Sequence, residues 1–387
     1  MRKRDDLPFP MHEYERRLRG LRERMDRDGF GTLLITTPEN ICYLTGFESP
    51  GYFALEALIV PLNGEPVMVS RRLEASGVES RTWIEHCHPY EEEQDPVGQV
   101  VDVIRAYGLT EQRFGFERDG WFFTATEQDR LFRGLPETRF IDCSGIVEEG
   151  RLIKSDLEIE VMRRAARFAE AGMLAGIEAV GEGVTENEIA AEIHHAMFRA
   201  GGEWPAISPF VASGHRGSIG HATWENHRLA PGMCVFLEVG GCLKRYHSAL
   251  MRTCFVGEPP AYILDAAQTV IDAQQASIDV IKPGMTLGEV DAVSRAVISE
   301  ACPRFLGTQV TRSAYSIGIA FPPDWGEGHI MSIRHEDPRV LRPNMTFHNI
   351  PWVQLPGRGG IGFSETIRVT EDGCETLTRL ERRLFVK

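Results

Sequence analysis

The sequence predicts an α/β (α+β) chain of two domains, a mixed α/β domain over 1–150 and a second over 151–387 in which one αβ unit is used twice. Three observations carry this. A chain of 387 residues is long enough for two domains of ordinary size. Ser155-Asp156-Leu157-Glu158 is an S-x-x-E capping box that opens a long helix directly after Arg151-Leu152-Ile153-Lys154. Two Thr-x-x-Glu boxes, Thr185-x-x-Glu188 and Thr286-x-x-Glu289, stand about a hundred residues apart, each behind a glycine turn.

In the first domain, Tyr14, Leu18, Leu21 and Met25 recur at helical spacing over 11–30, and Asp28-Gly29 ends the run. Thr32-Leu33-Leu34-Ile35-Thr36 reads as a buried strand. The apolar runs 55–61 and 65–70 flank Asn63-Gly64, a hairpin signal. Helix and strand patterns alternate on to about residue 143. In the second domain the helix after Ser155 carries Ile159, Met162, Ala165, Ala166 and Ala169 on one stripe. Pro231-Gly232-Met233-Cys234-Val235-Phe236 resembles Pro343-Asn344-Met345-Thr346-Phe347-His348, so the repeat includes a strand. A unit used twice brings two equivalent strands to one cleft, a favoured place for a site.

Hydrophobic residues make up 42% and charged residues 25% of the chain, a globular balance rather than a disordered one. A net charge of −14 argues against nucleic acid or an anionic membrane as partner. The basic start, Met1-Arg2-Lys3-Arg4, leads into Asp5 and Asp6 rather than an apolar run, so no signal peptide is expected. No stretch reaches the ~18 apolar residues of a membrane span, and the expected compartment is the cytoplasm. The eight cysteines (Cys42, Cys87, Cys143, Cys234, Cys242, Cys254, Cys302 and Cys374) are scattered without a C-x-x-C, and read as reduced thiols, mostly in the core.

Polar residues gather in three places: around His221-Ala222-Thr223-Trp224, from Phe236 to Thr253, and from Tyr315 through Pro322-Pro323-Asp324-Trp325-Gly326-Glu327 to Glu365. Glu238 closes an apolar strand run, where a lone carboxylate loses hydration. It either points to solvent from a strand end or sits in a cleft with a shifted pKa. His221 and His247 read as satisfied structural histidines or as proton carriers. Arg252 reads as a salt-bridging sheet residue or a ligand anchor, and Tyr246 and Trp224 as core or site. The Pro-Pro-Asp-Trp-Gly turn is rigid by composition and suits a ligand wall as well as a plain corner.

The run Pro231-Gly232, Glu238-Val239-Gly240, Tyr246 and Arg252-Thr253 resembles the signature strand pair of the creatinase/aminopeptidase P ("pita-bread") superfamily. So do Asn40-Ile41-Cys42-Tyr43-Leu44-Thr45-Gly46-Phe47, the junction Arg151-Leu152-Ile153-Lys154-Ser155 and the closing Glu365-Thr366-Ile367-Arg368-Val369. The resemblance covers nearly the whole chain. It implies a creatinase-like N-terminal domain, a pita-bread domain with a pseudo-twofold repeat, and a homodimer. The peptidases of that superfamily hold two metal ions with two Asp, one His and two Glu. At the matching positions stand Glu238, Ala249, Tyr315, Ile350 and Glu365. Alanine and isoleucine donate nothing, and two carboxylates do not make a dinuclear cage. No metal and no other cofactor is expected.

Within the superfamily the chain is most similar to the ectoine hydrolases. The likeness runs through His221-x-Thr223-Trp224, Gly241-Cys242-x-x-Arg245-Tyr246-His247, Pro322 to Glu327, Met331-Ser332-Ile333-Arg334 and Met345-Thr346-Phe347-His348. Those enzymes open a cyclic amidine carboxylate. Gly362 stands where that group is expected to carry the first of two acidic residues, and Glu48-Ser49-Pro50-Gly51-Tyr52 also differs. The resemblance implies metal-free hydrolysis of a C–N bond in a small cyclic amidine or amide. Glu238 would be nucleophile or water-activating base, and His221 would pass a proton to the leaving nitrogen. Glu365 would meet a cationic amidinium. His247 and Arg252 would hold the substrate carboxylate or orient Glu238. Tyr246, Tyr315 and His348 would line the pocket beneath Asp324 and Trp325. The alternatives are a metal-dependent Xaa-Pro peptidase and a non-catalytic binding protein on a peptidase fold.

Overall fold

A computed structural model describes residues 1–110, 113–305 and 312–387, with the side chains of 302–305 outside the description. Contacts divide the chain into two units, Met1–Arg151 and Leu152–Lys387. The first opens with α1 (Met11–Asp28), which buries Tyr14, Leu18, Leu21 and Met25 and ends on Gly29 at φ 72°. Its sheet has six strands: β1 (Thr32–Ile35), β2 (Ala57–Pro61), β3 (Val67–Arg71), β4 (His86–Tyr90), β5 (Arg113–Phe116) and β6 (Arg139–Asp142). Their order is β4-β3-β2-β1-β5-β6. The β2–β3 hairpin around Asn63-Gly64 is antiparallel, as the sequence predicts. Between the strands run α2 (Pro38–Thr45), α3 (Ala75–Arg81), α4 (Pro96–Ala106), α5 (Ala125–Gly134) and α6 (Ile146–Leu152), which make the unit mixed α/β.

In the second unit α7 (Asp156–Ala179) starts at the Ser155–Glu158 capping box, with Glu158 Oε2 accepting from the Ser155 N–H at 2.7 Å. Then follow α8 (Glu186–Arg199), β7 (Phe210–Ser213), β8 (Cys234–Leu243) and β9 (Tyr246–Phe255). The second half has α9 (Ala261–Val280), α10 (Leu287–Phe305), β10 (Ala314–Ser316), β11 (Ser332–Ile333) and β12 (Thr346–Asn349). Last come β13 (Trp352–Leu355), β14 (Gly359–Gly362), β15 (Glu365–Val369), β16 (Cys374–Thr376) and β17 (Phe385–Val386). The sheets run β17-β9-β8-β7 and β11-β10-β12-β15-β16, with β13-β14 a separate ribbon.

The repeat is written in the backbone hydrogen bonds. Gly183 N–H meets Leu229 O, and Gly284 N–H meets Leu341 O, both at 2.9 Å. Gly232 N–H meets Val256 O, and Asn344 N–H meets Val369 O, both at 2.8 Å. Gly232 (φ 89°) and Asn344 (φ 65°) take the same left-handed turn into β8 and β12, a conformation glycine and asparagine tolerate best. The halves meet where β9 faces β15: Thr366 Oγ1 accepts the Ala249 N–H at 2.8 Å and donates to Ala249 O at 2.9 Å.

Among the described residues seven cysteines are free thiols, and the Cys302 side chain lies outside them. No described helix is long and apolar enough to cross a membrane.

Candidate active site

Sheet register builds the floor of a cavity. Phe210 of β7, Glu238 of β8 and Met251 of β9 are direct cross-strand partners, so their side chains leave the same face. Phe236, two residues before Glu238, shares that face, whereas Leu237 and Val239 turn into the core. The cavity encloses about 440 Å³. Phe236, Trp325 and Trp352 form aromatic walls, with Ile350 and Ile219 between them and Tyr315, Asp324, Arg312 and His221 as polar groups.

Glycines make room for these walls. A β-carbon on Gly240 would meet the Trp325 ring at 2.6 Å. At Gly362 it would meet Phe236 at 2.9 Å, Trp352 at 3.0 Å and the Met251 sulfur at 3.2 Å. The space in which the resemblance leads one to expect an acidic side chain is therefore filled by the aromatic cage itself.

Glu238 is half-buried, its side chain 14% exposed, and accepts no hydrogen bond from any described residue. Its nearest basic atom is His348 Nδ1, 3.8 Å away. Burial, with the charge of Asp324 adding to it, lifts its pKa from 4.5 to about 8. Behind it, Tyr315 Oη accepts from Trp325 Nε1 at 2.9 Å and lies 2.8 Å from His348 Nδ1. His348 Nε2 lies 2.6 Å from Ser364 Oγ, which also accepts the Met251 N–H at 2.6 Å. Burial, helped by the Arg312 charge, drives His348 down to about 3, so it is neutral; burial also holds the Tyr315 phenol well above its ordinary value. Asp324 is exposed and accepts the Gly326 N–H at 2.9 Å, fixing the turn that carries Trp325. His221 is exposed at the rim, its ring 5.8 Å from that of Phe210 and its backbone at φ 61°. A non-glycine residue held there stores strain of about 1–3 kcal/mol, a feature that gathers at functional sites.

Arg312 is a site residue that sequence reasoning passed over. It lines the cavity with its guanidinium 4.6 Å from the centre of the Tyr315 ring. Among the described residues its only hydrogen bond runs from Nη1 to Ser332 Oγ at 3.1 Å, and no carboxylate pairs with it. The available signal was modest: an arginine two residues before a short buried strand. Ser364 was missed too, one position before the Glu365 that drew attention.

Five expected site residues do not line the cavity. Arg252 has all five N–H donors engaged, by Glu365 Oε1 (2.7 Å), Met251 O, Ser364 O, Glu381 O and Leu380 O, and none is left for a substrate carboxylate. His247 is fully buried, its Nδ1 donating to Arg245 O and its Nε2 accepting the Ala206 N–H, both at 3.0 Å. Burial, together with the Arg245 charge, keeps it neutral. Tyr246 donates to Glu158 Oε1 at 2.6 Å inside the core. Glu365 gives one oxygen to Arg252 and the other to Thr378 Oγ1, leaving neither for an amidinium. Burial still leaves its pKa raised. His348 stands one layer behind the wall, and Glu238, His221, Tyr315, Asp324 and Trp325 line the same cavity.

A family model described as "Metallopeptidase family M24" matches residues 160–371, and one described as "Creatinase/Prolidase N-terminal domain" matches 17–153. The chain belongs to this family. It is 33% identical to the ectoine hydrolase of Halomonas elongata, over 98% of this chain and 99% of that one. It is 28% identical to the Xaa-Pro dipeptidase of Pyrococcus furiosus, over 95% of this chain and 99% of that one. Its fold matches the solved Xaa-Pro dipeptidase from Bacillus anthracis with a TM-score of 0.83, 24% identity, and coverage of 97% and 100% of the two chains.

The family's description names a metal, and the residues that the resemblance sets at the ligand positions do not fit one. Ala249 offers a methyl and Ile350 an apolar wall. Tyr315 Oη is engaged by Trp325 and His348, and both Glu365 oxygens are taken. Among the described residues no group of three or more His, Cys, Asp or Glu converges as a metal site.

Proposed function

We propose that this chain hydrolyses, without metal, a C–N bond in a small zwitterionic cyclic amidine or amide, ectoine or a close analogue. The observation that carries the reading is Glu238: a half-buried carboxylate with no hydrogen-bond donor among the described residues, facing a cavity in which Arg312 has no described carboxylate partner. A substrate carboxylate pairs with Arg312, which has donors to spare. The amidinium lies against the aromatic walls and Glu238, and its positive charge favours the ionised carboxylate. Glu238 then takes the proton from a water that attacks the amidinium carbon, or attacks that carbon itself, in which case a water afterwards cleaves the bond between Glu238 and that carbon and frees the carboxylate. The oxygen bonds to that carbon, a proton passes by way of His221 to the departing nitrogen, and the C–N bond breaks. One water is consumed; a cyclic amidine yields an amide and an amine, and a cyclic amide yields a carboxylic acid and an amine.

The test follows ring opening of ectoine by NMR, beside an Xaa-Pro dipeptide. The reading expects ectoine to open and the dipeptide to persist. The similarity to an Xaa-Pro dipeptidase makes the reverse result the one that would overturn it.

A further inference from the structure

We propose that Tyr315 is a catalytic hydrogen-bond donor, its phenolic hydrogen turned into the cavity by a chain of hydrogen bonds that runs back through His348 to Ser364. The inference deepens the hydrolase reading and rests on it for the identity of the acceptor. The direction of the hydrogen does not.

Ser364 Oγ is fully buried, accepts the Met251 N–H, and has His348 Nε2 as its other partner. Its own hydrogen has one acceptor among the described residues, that nitrogen. Ser364 therefore donates to Nε2, and the neutral imidazole carries its proton on Nδ1. Nδ1 then donates to Tyr315 Oη. Oη also accepts from Trp325 Nε1, so both its lone-pair directions are filled from inside the wall. The phenolic hydrogen is left with no described protein acceptor, on a side chain that lines the cavity. The opposite tautomer would spend that hydrogen on His348 and strand the serine hydrogen in a dry interior, the costlier arrangement.

A donor fixed in this way needs no reorganisation when charge develops in front of it. Glu238 Oε1 lies 3.8 Å from the same His348 nitrogen, so the phenol and the carboxylate stand side by side. The acceptor that Tyr315 meets is the oxygen newly bonded to the reacting carbon, delivered by Glu238 or by water. No proton leaves Tyr315; it shares a hydrogen bond that strengthens as the oxygen becomes negative. His348 does not touch the substrate and is a positioning residue acting through Tyr315.

The test has two arms. In the first, nitrogen-15 NMR of labelled wild-type protein reads the His348 tautomer between pH 6 and 8. Protonation on Nδ1 is expected, and protonation on Nε2 would overturn the inference whatever the substrate proves to be. In the second, with turnover of the wild type in hand, Tyr315→Phe should lower kcat about 100-fold with little change in KM. His348→Ala should fall to a similar level, and His348→Asn, whose amide nitrogen stands in for Nδ1, should recover much of the loss. The double variant Tyr315→Phe/His348→Ala should be no slower than Tyr315→Phe alone. A folded Tyr315→Phe that keeps wild-type kcat would refute the role of the phenol without touching the hydrolase reading. Absence of wild-type turnover counts against that reading and leaves the tautomer arm to decide the geometry.

Discussion

Replacing Glu238 by Gln should make the protein more stable and inactive at once. No described residue offers the carboxylate a hydrogen bond, and burial raises its pKa from 4.5 to about 8. A raised carboxylate means the folded state binds its proton more tightly than the unfolded chain does. Below pH 4.5 both states are protonated and the residue costs nothing. Between pH 4.5 and 8 the unfolded chain ionises first, and stability falls as pH rises. At ~1.4 kcal/mol per unit, the cost is about 3 kcal/mol at pH 7 and levels off at about 5 kcal/mol above pH 8. Gln carries no charge in either state and escapes that cost. For a unit of this size the gain at pH 7 corresponds to roughly 6–12 °C in Tm, shrinking to almost nothing at pH 4. Thermal melts of both proteins from pH 4 to 9, beside an activity assay, make the comparison. A variant that melts with the wild type at every pH, or below it, would refute the picture of a desolvated, unpaired Glu238. A stabilised variant that still turns over substrate would leave the electrostatics standing and remove the catalytic role.

The same shift sets the pH profile. If the ionised form of Glu238 is required, kcat/KM should rise about tenfold per unit below pH 8 and flatten above it; a flat profile from pH 6 to 9 would contradict this. Arg312→Met should raise KM roughly 10- to 100-fold for a carboxylate-bearing substrate while leaving Tm nearly unchanged, and an analogue lacking the carboxylate should not notice the change. Arg252→Met strands the buried Glu365 carboxylate and should cost about 3–5 kcal/mol in chemical denaturation; a stable variant with impaired kcat would restore Arg252 to the site.

What the sequence disclosed depended on how local the cause was. The capping boxes at Ser155, Thr185 and Thr286 are satisfied within three residues, and all three form. The hairpin at Asn63-Gly64 and the α1 stripe are likewise local. Glu238 was visible because a carboxylate breaks an apolar run, and register places it beside Phe210 and Met251. Which polar residues reach the cavity was not visible. Arg252 and Met251 are chain neighbours on β9, and strand alternation sends one to the cavity and the other to Glu365 and the closing segment. His247 was attractive as a histidine near Glu238, but its partners, Arg245 O and the Ala206 N–H, are backbone groups that no sequence pattern marks. Arg312 escaped notice because its importance lies in what it lacks, a carboxylate partner among the described residues.

The central claim is that Glu238 does the work that metal does in the peptidases of this family. The most direct measurement is turnover of ectoine by protein stripped with chelator and verified free of metal by mass spectrometry, with and without added Mn, Co or Zn. The account expects the same rate in every sample and none from Glu238→Gln. A rate that vanishes on stripping and returns in proportion to added metal would contradict it.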